Sequence, residues 1–402
     1  MRYLRTVSTR RLLALIAGLG VVIAGGTAIA VASAGNGPKP PPTSLANAVH
    51  RALAAPSVQG VTARISFTNH LIGASSLQGS DPILSGASGR LWLSNDGRLR
   101  LELQSDNGDA QVVVSNGRFW IYDPSAHTAY EGKLPAGSHT DKQTSGKDRI
   151  PTIAAIQKQI SQFVQHANVS GAIPSDVAGR AAYTVRVSPK HDGGLLGRAE
   201  LAWDAARGVP LKFAIFARGQ RSPVIELKAT DISYGKVPAS DFNVSPPSDA
   251  KIVRVNVPAG SAHAAKAASK HERAHRQVSG AAAVAKKLSF GLVAPRTLVG
   301  LPRRSVSLMD SSGSPGALVT YGQNLGGMVV IEQAAKPGAA PQASSGGDKQ
   351  GLSLPSVTIK GATGHELATP LGTVLQFSRG GVDYTVLGSV PAAAAEAAAR
   401  AL

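Results

Sequence analysis

Alternation of apolar and polar residues over positions 89–130 restricts this chain to an antiparallel sheet more sharply than any other feature of its 402 residues. In Arg98-Leu99-Arg100-Leu101-Glu102-Leu103 every second residue is leucine, and a period of two sends the leucines to one face and the charges to the other. Asn95-Asp96-Gly97 and Ser115-Asn116-Gly117 separate the apolar runs, and Asn or Asp before Gly supplies the positive φ of a tight hairpin turn. The stretch predicts two hairpins in succession. Asp123-Pro124 ends the last run, because proline fixes φ and cannot donate to a ladder.

Around this stretch the chain reads as more strands and two amphipathic helices. Thr43-Ser44 caps a helix in which Leu45, Val49 and Leu53 share a face, and Pro56 stops it. Val61, Ala63, Ile65 and Phe67 alternate with polar residues as a first strand, followed by a Gly- and Ser-rich loop over 71–88. After a polar stretch at 132–149, Pro151 opens a second helix with the stripe Ile153, Ile156, Ile160, Phe163 and Val164. Ordinary packing onto the sheet explains that stripe, and a lid over the sheet is the sharper reading. Strands return at 183–187, 199–203, 211–215 and 225–227, with a turn at 204–208.

The N-terminus addresses compartment. Arg2, Arg5, Arg10 and Arg11 precede an uncharged apolar run over 12–34, and about 20 such residues cross a bilayer. Positive charge before the run keeps the N-terminus inside and sends the bulk outside the cytoplasm. Ala32-Ser33-Ala34 also fits a cleavage site, so a single-pass anchor and a removed signal peptide, giving a secreted chain, both stand. Residues 35–42 read as a Pro-rich spacer. With no cysteine, neither a disulfide nor a thiol-linked lipid anchor can form. A net charge of +18 suits anionic surfaces, and export argues against a nucleic-acid partner.

Gly89-Arg90-Leu91-Trp92-Leu93, Arg98-Leu99-Arg100-Leu101 and Asn116-Gly117-Arg118-Phe119-Trp120-Ile121-Tyr122-Asp123-Pro124 together resemble the strand pattern of the LolA-like lipoprotein carriers and the RseB/MucB-type sensors. Trp203-Asp204 with Gly208, Pro210, Leu211 and Lys212 is similar to a later segment of that superfamily, and so is Asp241-Phe242 before Pro246-Pro247. The resemblance covers roughly 45–255. It implies an α+β fold in which a curved antiparallel sheet, a half-barrel, wraps helices and leaves an apolar cavity for acyl chains. One departure is the turn Asn95-Asp96-Gly97, where the carriers usually place a proline, so the resemblance implies the fold more than carrier activity.

On that reading the first domain spans 43–250 and its cavity-lining candidates come from the alternating strands. They are Ile65 and Phe67; Leu91 and Leu93; Leu99, Leu101 and Leu103; Val112 and Val114; Phe119 and Ile121; then Val185, Leu201, Phe213 and Ile215. Residues 251–287 are Ala-rich and basic with few large apolar side chains, the composition of a linker. Residues 288–402 read as a smaller α+β domain of strands closed by a helix from Pro391, similar to the C-terminal domain with which RseB/MucB-type sensors touch partner proteins.

A catalytic reading needs a constellation that the sequence does not offer. Cysteine nucleophiles are excluded, and no Gly-x-Ser-x-Gly elbow, His-Glu-x-x-His helix or phosphate-binding P-loop is present. His271 and His275 stand four apart without a third ligand, so no metal or cofactor is expected. The expectation is a non-enzymatic binding protein outside the cytoplasm for lipid or lipoprotein acyl chains, acting as carrier or envelope sensor. The alternative is a regulator whose C-terminal domain contacts a membrane anti-sigma-type protein.

Overall fold

Residues 89–130 build the middle of a wide sheet in the computed structural model, which describes residues 37–72, 82, 86–104, 109–134, 152–255, 278–311, 314–335 and 354–402. The apolar run at 12–34, the polar stretch at 135–149 and the pair His271 and His275 lie outside the described residues. No helix among the described residues is long and apolar enough to cross a membrane. Helix α1 (Leu45–Ala54) starts where the Ser44 hydroxyl accepts from the amide of Asn47. Strands β1 (Gly60–Asn69), β2 (Gly86–Ser94), β3 (Leu99–Gln104), β4 (Ala110–Ser115), β5 (Arg118–Asp123) and β6 (Thr128–Lys133) follow as a meander. Asn116 and Gly117 both take positive φ in the β4–β5 turn, 50° and 70°, as the Asn-Gly pair requires.

Helix α2 (Ile153–Phe163) is capped by Thr152, and after it the chain returns to strands. These are β7 (Ala167–Val169), β8 (Ile173–Val177), β9 (Arg180–Pro189), β10 (Leu196–Asp204), β11 (Pro210–Ala217), β12 (Ile225–Tyr234) and β13 (Lys251–Val255). The described strands form one sheet in the order β13-β6-β5-β4-β3-β2-β1-β12-β11-β10-β9-β7, with β8 also paired to β9. Every pairing is antiparallel except β13 on β6. The sheet curls as a half-barrel with few helices, so the described residues are mostly strand, where the sequence pointed to an α+β fold.

Three boundaries shift, one of them the end of the basic linker expected at 287, because Ser279 bridges Ser307 and Val284 is buried in the second core. The basic linker expected from 251 starts later, because Lys251–Val255 adds to the free edge of β6, whose backbone groups would otherwise lack partners. The Pro-rich spacer is in part packed: Pro40 is buried, the Tyr183 hydroxyl donates to the Pro41 carbonyl at 2.7 Å, and Thr43 bridges Ala172. Tyr183 has its ring fully buried, and a buried tyrosine hydroxyl needs an acceptor.

The remaining described residues form a second sheet. Its parts are α3 (Ala281–Ala285), β14 (Thr297–Leu298), β15 (Leu301–Ser311), β16 (Ser314–Tyr321), β17 (Met328–Ala334), β18 (Ser356–Ile359), β19 (Ala362–Thr369), β20 (Gly372–Arg379), β21 (Val382–Gly388) and α4 (Ala392–Ala401). The order is β14-β15-β16-β17-β21-β20-β19-β18. Helix α4 lies on β20, β21 and β18, burying Ala395, Ala398 and Ala399 among Leu375, Val386 and Ile359; small side chains let the helix approach the strands closely. The sheets meet where the β9–β10 turn touches the end of β21. The amide of Leu195 donates to Ser389, and Gly194, at φ +60°, sits where a Cβ would come within 2.3 Å of the Ser389 carbonyl oxygen.

Inside the second core, Glu332 is fully buried with one carboxylate oxygen accepting from the amide of Val293 and the other unpartnered. Burial pushes its carboxyl up from 4.5 to about 7, against the opposing pull of that amide. Between those values the folded chain keeps a proton that the unfolded chain has lost. Stability of this domain should therefore fall as pH rises from about 4.5 to about 7 and level off above it. Urea unfolding across that range should show the slope, and Glu332→Gln should flatten it; an unchanged slope in the variant would refute the assignment.

Candidate functional site: the inner face of the half-barrel

Residues paired directly across a ladder share a face, so the register settles where the predicted lining residues point. One row runs Leu91, Leu101, Val112, Ile121 across β2 to β5, and the next runs Leu93, Leu99, Val114, Phe119. Gly89 pairs with both Ile65 and Leu103, which brings those two to the same face. On the other side of β1 the row runs Phe67, Leu227, Phe213, Leu201, Val185, with Ile215 opposite Ile225. The register thus brings all the predicted residues to one side of the sheet. That side also carries α1, because Ala48 packs with Val185, Tyr183 and Trp203.

They are not equally covered. Ile65, Leu103, Val112, Phe119, Ile121, Val185 and Leu201 are buried. Phe67, Leu91, Leu93, Leu99, Leu101, Val114, Phe213 and Ile215 are only half-buried. Arithmetic accounts for the difference. Twelve strands along the sheet path at about 4.8 Å each give roughly 50 Å of arc, whereas α1 and α2, of 10 and 11 residues, are each about 15 Å long. Two such helices cannot roof the whole face.

Helix α2 adds to the surface instead of sealing it. Packing of its stripe onto the sheet was the plainer expectation, but its main neighbour is α1. Only Ile156 of the stripe is buried, while Ile153 and Phe163 are 45% and 49% exposed, and Leu53 of α1 is 42% exposed. Three large apolar side chains on two touching helices face solvent.

The opposite face is closed by different means. Residues 239–250 lie across it as a strap: Trp120 Nε1 donates to the Val244 carbonyl at 3.0 Å, and Arg100 donates to the Asp241 carbonyl. Val113, Trp120 and Tyr122 pack with Ala250, and the Arg100 guanidinium stacks on Trp92. Toward β10 and β11 this face is ionic. Glu200 is fully buried, pairs with Arg198, and has Lys212 within 3.9 Å; Lys212 also pairs with Glu226 at 2.8 Å. Burial pushes the Glu200 carboxyl up, and Arg198 and Lys212 pull against it. Sequence reading missed this network, although period-two alternation puts Glu200 opposite Leu201. His127, which has no sequence neighbour to suggest a partner, meets Tyr122 at 2.9 Å and Asp249 at 3.1 Å.

No family model matches the chain, and no curated protein matches it. Similar solved structures include MucB in complex with MucA(peri), 18% identical over 88% of this chain and 97% of that one, with a TM-score of 0.38. The Pseudomonas aeruginosa MucA/MucB complex is 18% identical over 88% of this chain and 96% of that one, TM-score 0.38. A LolA superfamily protein from Nitrosomonas europaea is 11% identical over 50% of this chain and 99% of that one, TM-score 0.20. At these identities and TM-scores the likeness carries no statement about what this chain binds or does.

Uneven coverage has a measurable consequence on strand β3. Leu103→Ala, at a buried position, should cost about 2–5 kcal/mol, while Leu99→Ala and Leu101→Ala should each cost less, about 1–2 kcal/mol, because their side chains are only partly buried. Denaturant midpoints of the first-domain transition give the comparison. Equal costs at all three positions would mean that the face is roofed.

Proposed function

We propose that this chain is a binding protein of the cell envelope that takes lipid or lipoprotein acyl chains on the inner face of its first sheet, as a carrier or a sensor. The observation that carries the reading is the half-buried apolar surface formed by Leu91, Leu93, Leu99, Leu101, Val114, Phe213 and Ile215 beside helices too short to cover it. Burial of a methylene contributes about 0.8 kcal/mol, so ten of them supply about 8 kcal/mol, a micromolar scale before ordering costs, with no polar contact needed. The charged start and apolar run at 12–34 support delivery outside the cytoplasm, with the run retained as an anchor or removed as a signal. No catalytic step belongs to this reading.

A sensor reading has its own support. The β9–β10 turn of the first sheet seats on Ser389 at the end of β21, so a change of curvature in one sheet bears directly on the other. In that reading the C-terminal domain holds a membrane regulatory protein and the first domain gates it. Pull-downs from a membrane extract should then retain a membrane-spanning partner only when residues 288–402 are present.

Native mass spectrometry of the purified chain should find a bound acyl species, and a fluorescent fatty acid should be displaced by unlabelled lipid. Leu99→Gln with Leu101→Gln should weaken that binding by roughly tenfold or more, as loss of several buried methylenes implies. A ligand-free chain that ignores the fluorescent probe would sink the acyl-binding reading.

A further inference from the structure

A cleft unrelated to the apolar face lies where the N-terminal segment meets the ends of α1, β9 and β10. Its volume is about 490 Å³, within the range of small-molecule sites. One wall is the proline segment 38–41, held by the Tyr183 hydroxyl; Lys39, Arg51, Arg180 and Arg207 line the rest with a single carboxylate, Asp204.

That carboxylate is already occupied. One oxygen of Asp204 accepts from the amides of Ala206 and Arg207 at 2.8 and 2.9 Å, and the other accepts from the Tyr234 hydroxyl at 2.7 Å. Among the described residues no ion pair joins Asp204 to any of the four cations, nor any of the four to another acid. Asp176 carries the other nearby carboxylate, set against Gly37 and outside the cleft lining.

Two of the guanidiniums are held in place without a counter-ion. Arg180 and Arg207 both stand over the Tyr234 ring, 5.4 and 4.6 Å from its centroid, and Arg180 Nη2 donates to the Ile232 carbonyl at 2.9 Å. Aromatic stacking positions a guanidinium while leaving most of its N–H fork free, and such forks match the oxygens of a phosphate. The cleft offers four positive charges against one negative charge, whose oxygens already accept three hydrogen bonds.

We propose that this cleft binds a phosphate-type anion, either a free phosphate or the phosphate of a lipid headgroup, through Arg51, Arg180 and Arg207. Chain order favours neither source by itself. Residue 38 follows the apolar run at 34 by four residues, at most about 14 Å of chain, so an anchored chain would hold the cleft at headgroup level. The site does not depend on the acyl-binding face, and the two readings fail separately.

The full-length chain in dodecyl maltoside micelles, which carry no phosphate, should bind inorganic pyrophosphate saturably in calorimetric titration. Arg51→Gln combined with Arg207→Gln should weaken it by roughly tenfold or more, as loss of charge-assisted hydrogen bonds implies, while fluorescent fatty acid binding stays unchanged. Arg51 and Arg207 are exposed, so the substitutions leave the fold intact, and Arg218→Gln, on another exposed arginine, should have no effect. In phosphatidylcholine nanodiscs, weaker apparent pyrophosphate binding than in micelles assigns the site to the lipid headgroup, and unchanged binding assigns it to a free phosphate. Absence of pyrophosphate binding in micelles, or binding indifferent to the double substitution, would overturn the proposal.

Discussion

Backbone pairing decides where every side chain of the first sheet goes, and most of what the protein offers follows from that. Because the ladders from β2 to β5 keep a simple register, Leu91, Leu101, Val112 and Ile121 fall in one row and Leu93, Leu99, Val114 and Phe119 in the next. A slip of one residue would turn Leu99, Leu101 and Leu103 toward the strap and Arg100 and Glu102 toward α1. The tight turns at Asn116-Gly117 and Asn95-Asp96-Gly97 hold against such a slip, with Asp96 accepting from Arg98 to fix the second of them.

Once one face of the sheet is uniformly apolar, something must cover it, and this protein covers its two faces unequally. The back is closed by a strap of irregular chain that satisfies Trp120 and Arg100 through backbone carbonyls, and by ion pairs around Glu200. Those closures combine directional polar bonds with the apolar packing of Val113, Trp120 and Tyr122 on Ala250. The inner face receives only short helices, one of which leans on the other, and eight of its apolar residues stay partly covered.

Local signals made the inner face legible in the sequence. Period-two alternation, Asn-Gly turns and a capped amphipathic helix are all written in neighbouring residues, so both hairpins and the shared face of the alternating residues could be placed without the fold. What was not legible depends on distant pairing. Strand β19 carries Gly364, His365 and Ala368, a weak strand former by composition, and is extended because β18 and β20 flank it. Strand β13 exists because β6 has a free edge. The cationic cleft draws Lys39, Arg51, Arg180 and Arg207 from four separate places in the chain, which meet only in the fold. The exposure of Ile153 and Phe163 was likewise invisible, since an amphipathic stripe says that a helix has an apolar side and nothing about what it meets.

Strand order also sets how the two sheets are held together. The chain departs the first sheet from β13, at one extreme of that order, whereas the turn seated on Ser389 joins β9 to β10, near the other extreme. The second sheet is therefore fastened twice, covalently by the chain that leaves one flank and by hydrogen bonds from the opposite flank. Of the two fastenings only the hydrogen-bonded one can part and re-form without a covalent break.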